Sequence, residues 1–375
     1  MYLCGIMRRL WLFNPENDLA LAANTTVYTS PPAAARLRRS GAALPMWLGR
    51  AGDFFLCDGM NEAWFESVKN EFGIEANPWD HITPALPVPW GWSKSAKMDF
   101  IRAGVPEQAL PPAGILDLYR NLSHRRLTVE IHRRLADMLP FEIWPGAVEV
   151  RSKGELERLL RKYPDGVIKL PWSSSGRGVT FTDAVSAGKA AGQSAGAISK
   201  YGSVLFERRA ERMADFAMLF MAGSGGVELQ GLSLFRTDER GNYSGNMVAP
   251  QHTLAAAVGA VYPLAQLYNV AEALQVVLTD VLGTYCGPVG VDMLVADGGG
   301  SAPLLHACVE VNLRYTMGFA ALALERYAGV PALLTVERGD TTDACSHTSD
   351  GARLMSGRLA LTPPGGDFTF VLAAQ

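Results

Sequence analysis

The sequence predicts an α/β amino-terminal region followed by an α+β region, and three observations carry that reading. The first 120 residues hold short apolar runs separated by helical patterns. Residues 166–179 place a lysine at the end of an apolar run and directly before a serine- and glycine-rich loop. Residues 215–221 and 227–235 then alternate as antiparallel strands do.

In the first region, residues 10–13, 45–48 and 54–56 are bounded by Gly, Asn or Asp, as buried parallel strands often are. Residues 31–39 read as a helix with prolines in its first turn, and residues 62–72 as a second helix. A proline-heavy segment, 78–92, breaks the pattern before a helix at 95–103. The segment Phe13-Asn14-Pro15-Glu16-Asn17-Asp18 ends the first strand, where open α/β sheets bind ligands, so Asn14, Glu16, Asn17 and Asp18 are candidate acceptor-substrate residues. The competing reading is a capped turn.

In the second region, Ser123 is expected to cap a helix reaching residue 139, with Leu127, Ile131, Leu135 and Met138 at helical intervals. A strand, cap and helix follow over 149–160, and a long helix over 262–282. Residues 290–295 and 304–311 read as strands joined by a glycine turn, and 358–361 with 368–372 as a final hairpin.

The chemistry concentrates in four places. Lys169 follows β-branched Val167 and Ile168, so it is a cation where a charge is costly and an anionic partner is needed. The adjoining loop, Ser173 to Gly178, offers backbone N–H groups to phosphate oxygens, which together suggest a nucleoside triphosphate under a flap. It is not a Walker A loop, since Gly176-Arg177-Gly178 is not followed by Lys-Ser/Thr. Glu207 ends a short apolar run, Asp292 lies in Gly290-Val-Asp-Met-Leu294, and strand alternation puts Glu310 and Asn312 on one face with Arg314 continuing it. Carboxylates and a side-chain carbonyl from adjacent strands are the hard oxygen donors that Mg²⁺ prefers beside phosphate.

In that order of strand lysine, flap, acid, Asp strand and Glu-x-Asn, the chain resembles the ATP-grasp superfamily over roughly residues 120–325. The resemblance implies a Rossmann-like pre-ATP-grasp domain at 1–120, a small lobe with the flap at 121–205, and a large lobe with the metal site at 206–375. It implies ATP and two Mg²⁺ ions as cofactors. Lys169 would contact the α- and β-phosphates, and Ser173, Ser174, Ser175, Gly176 and Gly178 would close over them. Phe206, Glu207, Arg208 and Arg209 would form the adenine-reading hinge, with Asp215 at the ribose. Asp292, Glu310 and Asn312 would ligate the metal, Arg314 would neutralise the transferred phosphoryl group, and Arg125 or Arg126 would supply an early basic contact. The implied activity is ATP-dependent joining of a carboxylate to an amine or other nucleophile through an acyl phosphate. A small-molecule kinase and a non-catalytic nucleotide-binding module remain open, the latter because Gly290 stands where many amino-acid ligases of the superfamily carry arginine.

Composition narrows the partners. A net charge of −3 gives no electrostatic reason to expect nucleic acid or an anionic membrane. No run of 18 apolar residues occurs, and five scattered cysteines lack CxxC spacing, which together read as a cytoplasmic protein without a structural metal site. The six histidines show no metal or triad spacing, and no Gly-x-Ser-x-Gly elbow is present. Small-molecule substrates are therefore the expected partners, and dimers are common in the superfamily.

Overall fold

The computed structural model describes residues 8–173, 178–237, 243–300, 302–340, 344–349 and 351–375. The chain divides into two compact units, one of Met1–Leu118, Ser244–Pro250 and Tyr315–Gln375, the other of Tyr119–Tyr243 and Gln251–Arg314. Residues 315–375 thus join the first unit, whereas the sequence reading kept them with residues 206–314.

The first unit contains a four-stranded parallel sheet in which Arg9–Leu12 lies between Phe54–Phe55 and Leu86–Pro89, with Asn77–Pro78 outermost. Leu10 and Leu12 bury one face against Ala96 and Phe100 of the helix Lys94–Arg102, whose start is capped by the Ser93 hydroxyl. The expected strand at 45–48 is a 3-10 turn, Leu44–Trp47, with Pro45 in its first turn. All four of its side chains are buried, so the apolar run reflects burial and not extension. Conversely, Leu86–Pro89 is a strand inside the proline-heavy segment. Among the described residues it lies at the sheet margin, paired with Arg9–Leu12, where prolines lose no ladder bond on the open side.

A second, antiparallel sheet of this unit runs in the order Tyr243–Val248, Ala332–Arg338, Phe368–Ala374, Leu354–Ala360, Ala344–His347. The expected carboxyl-terminal hairpin is present as the pairing of Leu354–Ala360 with Phe368–Ala374. Phe13 meets Phe370 edge-on at 5.6 Å, and Trp47 donates its indole N–H to the Leu361 carbonyl at 2.8 Å, fastening this tail to the first residues of the chain.

The second unit carries two antiparallel sheets. In one, the order is Val148–Val150, Val204–Arg208, Gly166–Lys169, Val179–Phe181. Val150, Ile168, Val204 and Phe206 pack with Leu156 and Leu160 of the helix Lys153–Lys162 and with Ala190 and Ala191 of Ala187–Tyr201. Alternation then sends Val167, Lys169, Leu205 and Glu207 to the opposite face. In the other sheet, Gly287–Ala296 lies between Leu304–Asn312 and Arg212–Gly223, which pairs onward with Gly226–Thr237. The helices Arg126–Met138 and Leu264–Leu282 pack on it. The first of these starts at Arg126 because Ser123 ends the preceding helix, its hydroxyl donating back to the Tyr119 carbonyl at 2.8 Å. Among the described residues no single helix is long and apolar enough to cross a membrane.

Candidate nucleotide and metal site

Lys169 and Glu207 sit diagonally on neighbouring strands, since Lys169 faces Leu205 and Val167 faces Glu207. Both point away from the helix-packed core, and both are buried. The Lys169 ammonium lies 2.6 Å from a Glu207 oxygen and donates to the Val309 carbonyl at 3.3 Å, so the lysine reaches from one sheet to the other. Burial alone would raise the Glu207 carboxyl, but Lys169 and His306 reverse that and hold it at about 2.

Opposite Lys169, adjacent strands bring the acids together. Asp292 pairs with Glu310 and Gly290 with Asn312 across the ladder. Asn312 donates its amide to Asp292 at 3.0 Å and accepts from Arg314 at 3.0 Å. The Asp292 carboxyl is pushed up to about 7, first by burial and then by the facing Glu310 carboxylate. Glu310 in turn accepts from Arg125 at 2.7 Å.

Arg125 settles which of two candidate basic residues belongs to the cluster. Its guanidinium is buried and donates to the Leu170 carbonyl at 2.7 Å, the Ser173 hydroxyl at 2.5 Å and the Ser173 carbonyl at 3.1 Å, as well as to Glu310. Arg126 is exposed and makes none of these contacts. Arg125 therefore ties the loop entrance to the acidic pair. The loop is closed at its base by the Leu170 N–H donating to the Gly178 carbonyl at 2.9 Å. Gly178 has φ +72°, and a Cβ there would come within 3.0 Å of both Leu170 and Ser173, so glycine is required on two counts. Ser174, Ser175 and Gly176 lie outside the described residues.

The side chains of the other expected residues have partners of their own. Phe206 is a core side chain. Arg208 is exposed and stacks on Trp144 at 5.3 Å and Tyr163 at 5.1 Å, and Arg209 stacks on Phe181 at 5.2 Å. Asp215 accepts from the Thr237 hydroxyl at 2.8 Å beside Arg212. In the first unit, Asn14 exchanges two hydrogen bonds with the Gly91 backbone, Glu16 pairs with Arg38 at 2.7 Å, and Asn17 packs so tightly on Gly91 that a Cβ there would lie 2.4 Å away. Asp18 occupies the first turn of Asn17–Ala23. Asn14, Glu16 and Asn17 are thus bonded within the fold. A cavity of about 420 Å³ beside this segment is lined by Leu12, Phe13, Arg38, Arg39, Asp99 and Arg102, among others.

Two histidines that no sequence motif marks lie behind Glu207. His306 Nε2 lies 3.6 Å from the second Glu207 oxygen, and its ring meets His132 at 5.2 Å, both rings buried. The signal was present for His132, which falls inside the buried stripe Leu127, Thr128, Ile131, Leu135. Burial and the neighbouring His306 lower the His132 imidazole to about 4 from 6.5. Between those values the unfolded chain binds the extra proton, so this group's contribution to stability is lost as pH falls from 6.5 toward 4. His132→Gln should remove about 2 kcal/mol of the stability change between about pH 7 and about pH 5. Urea unfolding of both proteins at the two pH values checks this, and equal pH dependence would contradict it.

Oxygen donors from adjacent strands, with two like charges facing each other, suit a hard divalent cation. Asp292, Glu310 and Asn312 are the residues present that could hold one.

No protein-family model matches the sequence, and no curated protein is significantly similar to it. Solved structures are similar in fold. The biotin carboxylase domain of 2-oxoglutarate carboxylase from Hydrogenobacter thermophilus, in complex with MgADP, ADP and bicarbonate, matches 99% of this chain and 86% of its own at 12% identity, with TM-score 0.54. Biotin carboxylase from Campylobacter jejuni in complex with β,γ-ATP matches 97% and 87% at 12% identity, with TM-score 0.53. Rhizobium etli pyruvate carboxylase matches 99% of this chain and 36% of its own longer chain at 13% identity, with TM-score 0.55. Taken with the two-sheet unit that frames Lys169, Glu207 and the Asp292–Glu310 pair, these likenesses show that the chain has the ATP-grasp fold.

Proposed function

We propose that this protein is an ATP-dependent ligase that activates a carboxylate as an acyl phosphate and passes it to an amine or another nucleophile. One observation carries the reading: a buried ammonium, two guanidinium groups and three oxygen donors converge on facing sheets of one unit. The bound nucleotides and bicarbonate of the Hydrogenobacter domain support it. The parallel sheet of the first unit supports a Rossmann-like, pre-ATP-grasp reading of that unit.

In this reading Lys169 exchanges Glu207 for phosphate oxygens, and Glu207 turns toward the adenine amine. Arg314, held at Asn312, faces the negative charge of the phosphoryl group in flight, while Arg125 and Ser173 fix the entrance of the flap. Mg²⁺ on Asp292, Glu310 and Asn312 would screen the phosphate charges. A carboxylate oxygen attacks the γ-phosphorus and the bond to ADP breaks. The nucleophile then attacks the acyl carbon and inorganic phosphate leaves. Such catalysis is chiefly positioning and charge neutralisation.

Positional isotope exchange tests the step. With ATP labelled at the β,γ-bridge and a panel of carboxylates that includes bicarbonate, the label should scramble only when the right carboxylate is present. Phosphorylated product that accumulates stably, without phosphate release, would make the protein a kinase instead. Absence of scrambling and of turnover with every acceptor would sink the ligase reading.

A further inference from the structure

At one margin of the first unit's antiparallel sheet, a strand and a helix bring sulfur, imidazole and carboxylate together. In the edge strand Ala344–His347, Cys345 stands opposite Gly357, Ser346 opposite Ser356, and His347 opposite Leu354. The slip in register skips Met355 on the partner strand, so the edge strand keeps its two-residue alternation. The Ser346 and Ser356 hydroxyls bond each other at 2.7 Å on one face, which leaves Cys345 and His347 together on the other.

That second face meets the end of the helix Glu62–Phe72. The Glu71 carboxylate pairs with His347 Nε2, and the Phe72 ring meets the imidazole edge-on at 5.6 Å. One donor atom from each of Glu71, Cys345 and His347 lies within 4.8 Å of the other two. Gly351, beyond the strand, is pressed onto the same helix end. A Cβ on Gly351, which has φ +73°, would lie 2.9 Å from the Glu71 carbonyl oxygen.

We propose that Glu71, Cys345 and His347 form a Zn²⁺ site. A thiolate, an imidazole and a carboxylate are the mixed donors that zinc accepts, and three protein ligands leave the fourth tetrahedral position to water. Mg²⁺ and Ca²⁺ prefer all-oxygen sets and fit poorly. Binding takes the thiol proton of Cys345 to solvent and uses a lone pair of neutral His347. The ion ties an edge strand to a helix some 270 residues earlier in the chain, so it closes a long loop and protects an exposed sheet edge.

The test uses the full chain, stripped with chelator and titrated with Zn²⁺ against a chromophoric competitor and, separately, with Co²⁺. Wild type should bind one equivalent of zinc, rise in melting temperature, and give a thiolate-to-cobalt charge-transfer absorption. Cys345→Ser should lose that absorption, and His347→Gln and Glu71→Gln should each bind zinc at least about 10-fold more weakly. Cys308 interacts electrostatically with Asp292 and Glu310, so the titrations are also run in a Cys308→Ser background, where an ion held by those two acids gives no thiolate absorption. The proposal is overturned by no zinc binding in wild type, by a cobalt–thiolate absorption that survives in folded Cys345→Ser, or by unchanged zinc affinity in His347→Gln.

Discussion

Lys169→Met should lose ATP turnover by about 10²- to 10³-fold and should also destabilise the fold, by about 3–5 kcal/mol. The two losses have different origins. Turnover falls because the cation that would meet the phosphates is gone. Stability falls because Glu207, buried 2.6 Å from that ammonium, is left with an uncompensated charge. Adding Glu207→Gln separates them: the neutral amide removes the stranded charge, so much of the stability returns while turnover stays lost. Urea unfolding and phosphate release on wild type, both single variants and the double variant measure the cycle. A Lys169→Met protein as stable as wild type would contradict the buried pair.

Glu310→Gln is expected to abolish most Mg²⁺-dependent turnover, by about 10²-fold or more, with the apparent Mg²⁺ requirement moving to higher concentration. Its effect on the fold should be small. The substitution weakens the contact with Arg125, but it also removes the like charge facing Asp292. With that charge gone, the Asp292 carboxyl should fall from about 7 toward the ordinary range for an aspartate. Carboxyl titration by NMR in both proteins follows this directly. Unchanged Mg²⁺ dependence would remove Glu310 from the metal set.

Much of the second unit was legible because its chemistry is written locally. Lys169 after Val167 and Ile168, and Glu310 with Asn312 two residues apart, follow from strand alternation, and the structure keeps each on one face. What the sequence hid depends on register and long-range packing. Nothing local distinguishes Arg125 from Arg126; one donates to Ser173 and Glu310 only because the helix begins where it does. His306 lies in the apolar first half of its strand and acquires meaning only when Glu207 arrives from the other sheet. Cys345 and His347 are far in sequence from Glu71, so a search for closely spaced metal ligands passes over them. In the first unit, the bonds of Asn14 are not legible locally because their partner, the Gly91 backbone, is 77 residues away.

The most direct test of the central claim is thermal unfolding with ATP, with and without Mg²⁺, on wild type and on the Lys169→Met/Glu207→Gln double variant. Saturating ligand should stabilise wild type by about 2–4 kcal/mol, a rise of several degrees, and only when Mg²⁺ is present. The double variant, folded but without its ammonium, should show no shift. An equal rise in both proteins, or none in wild type, would contradict a nucleotide site built around Lys169.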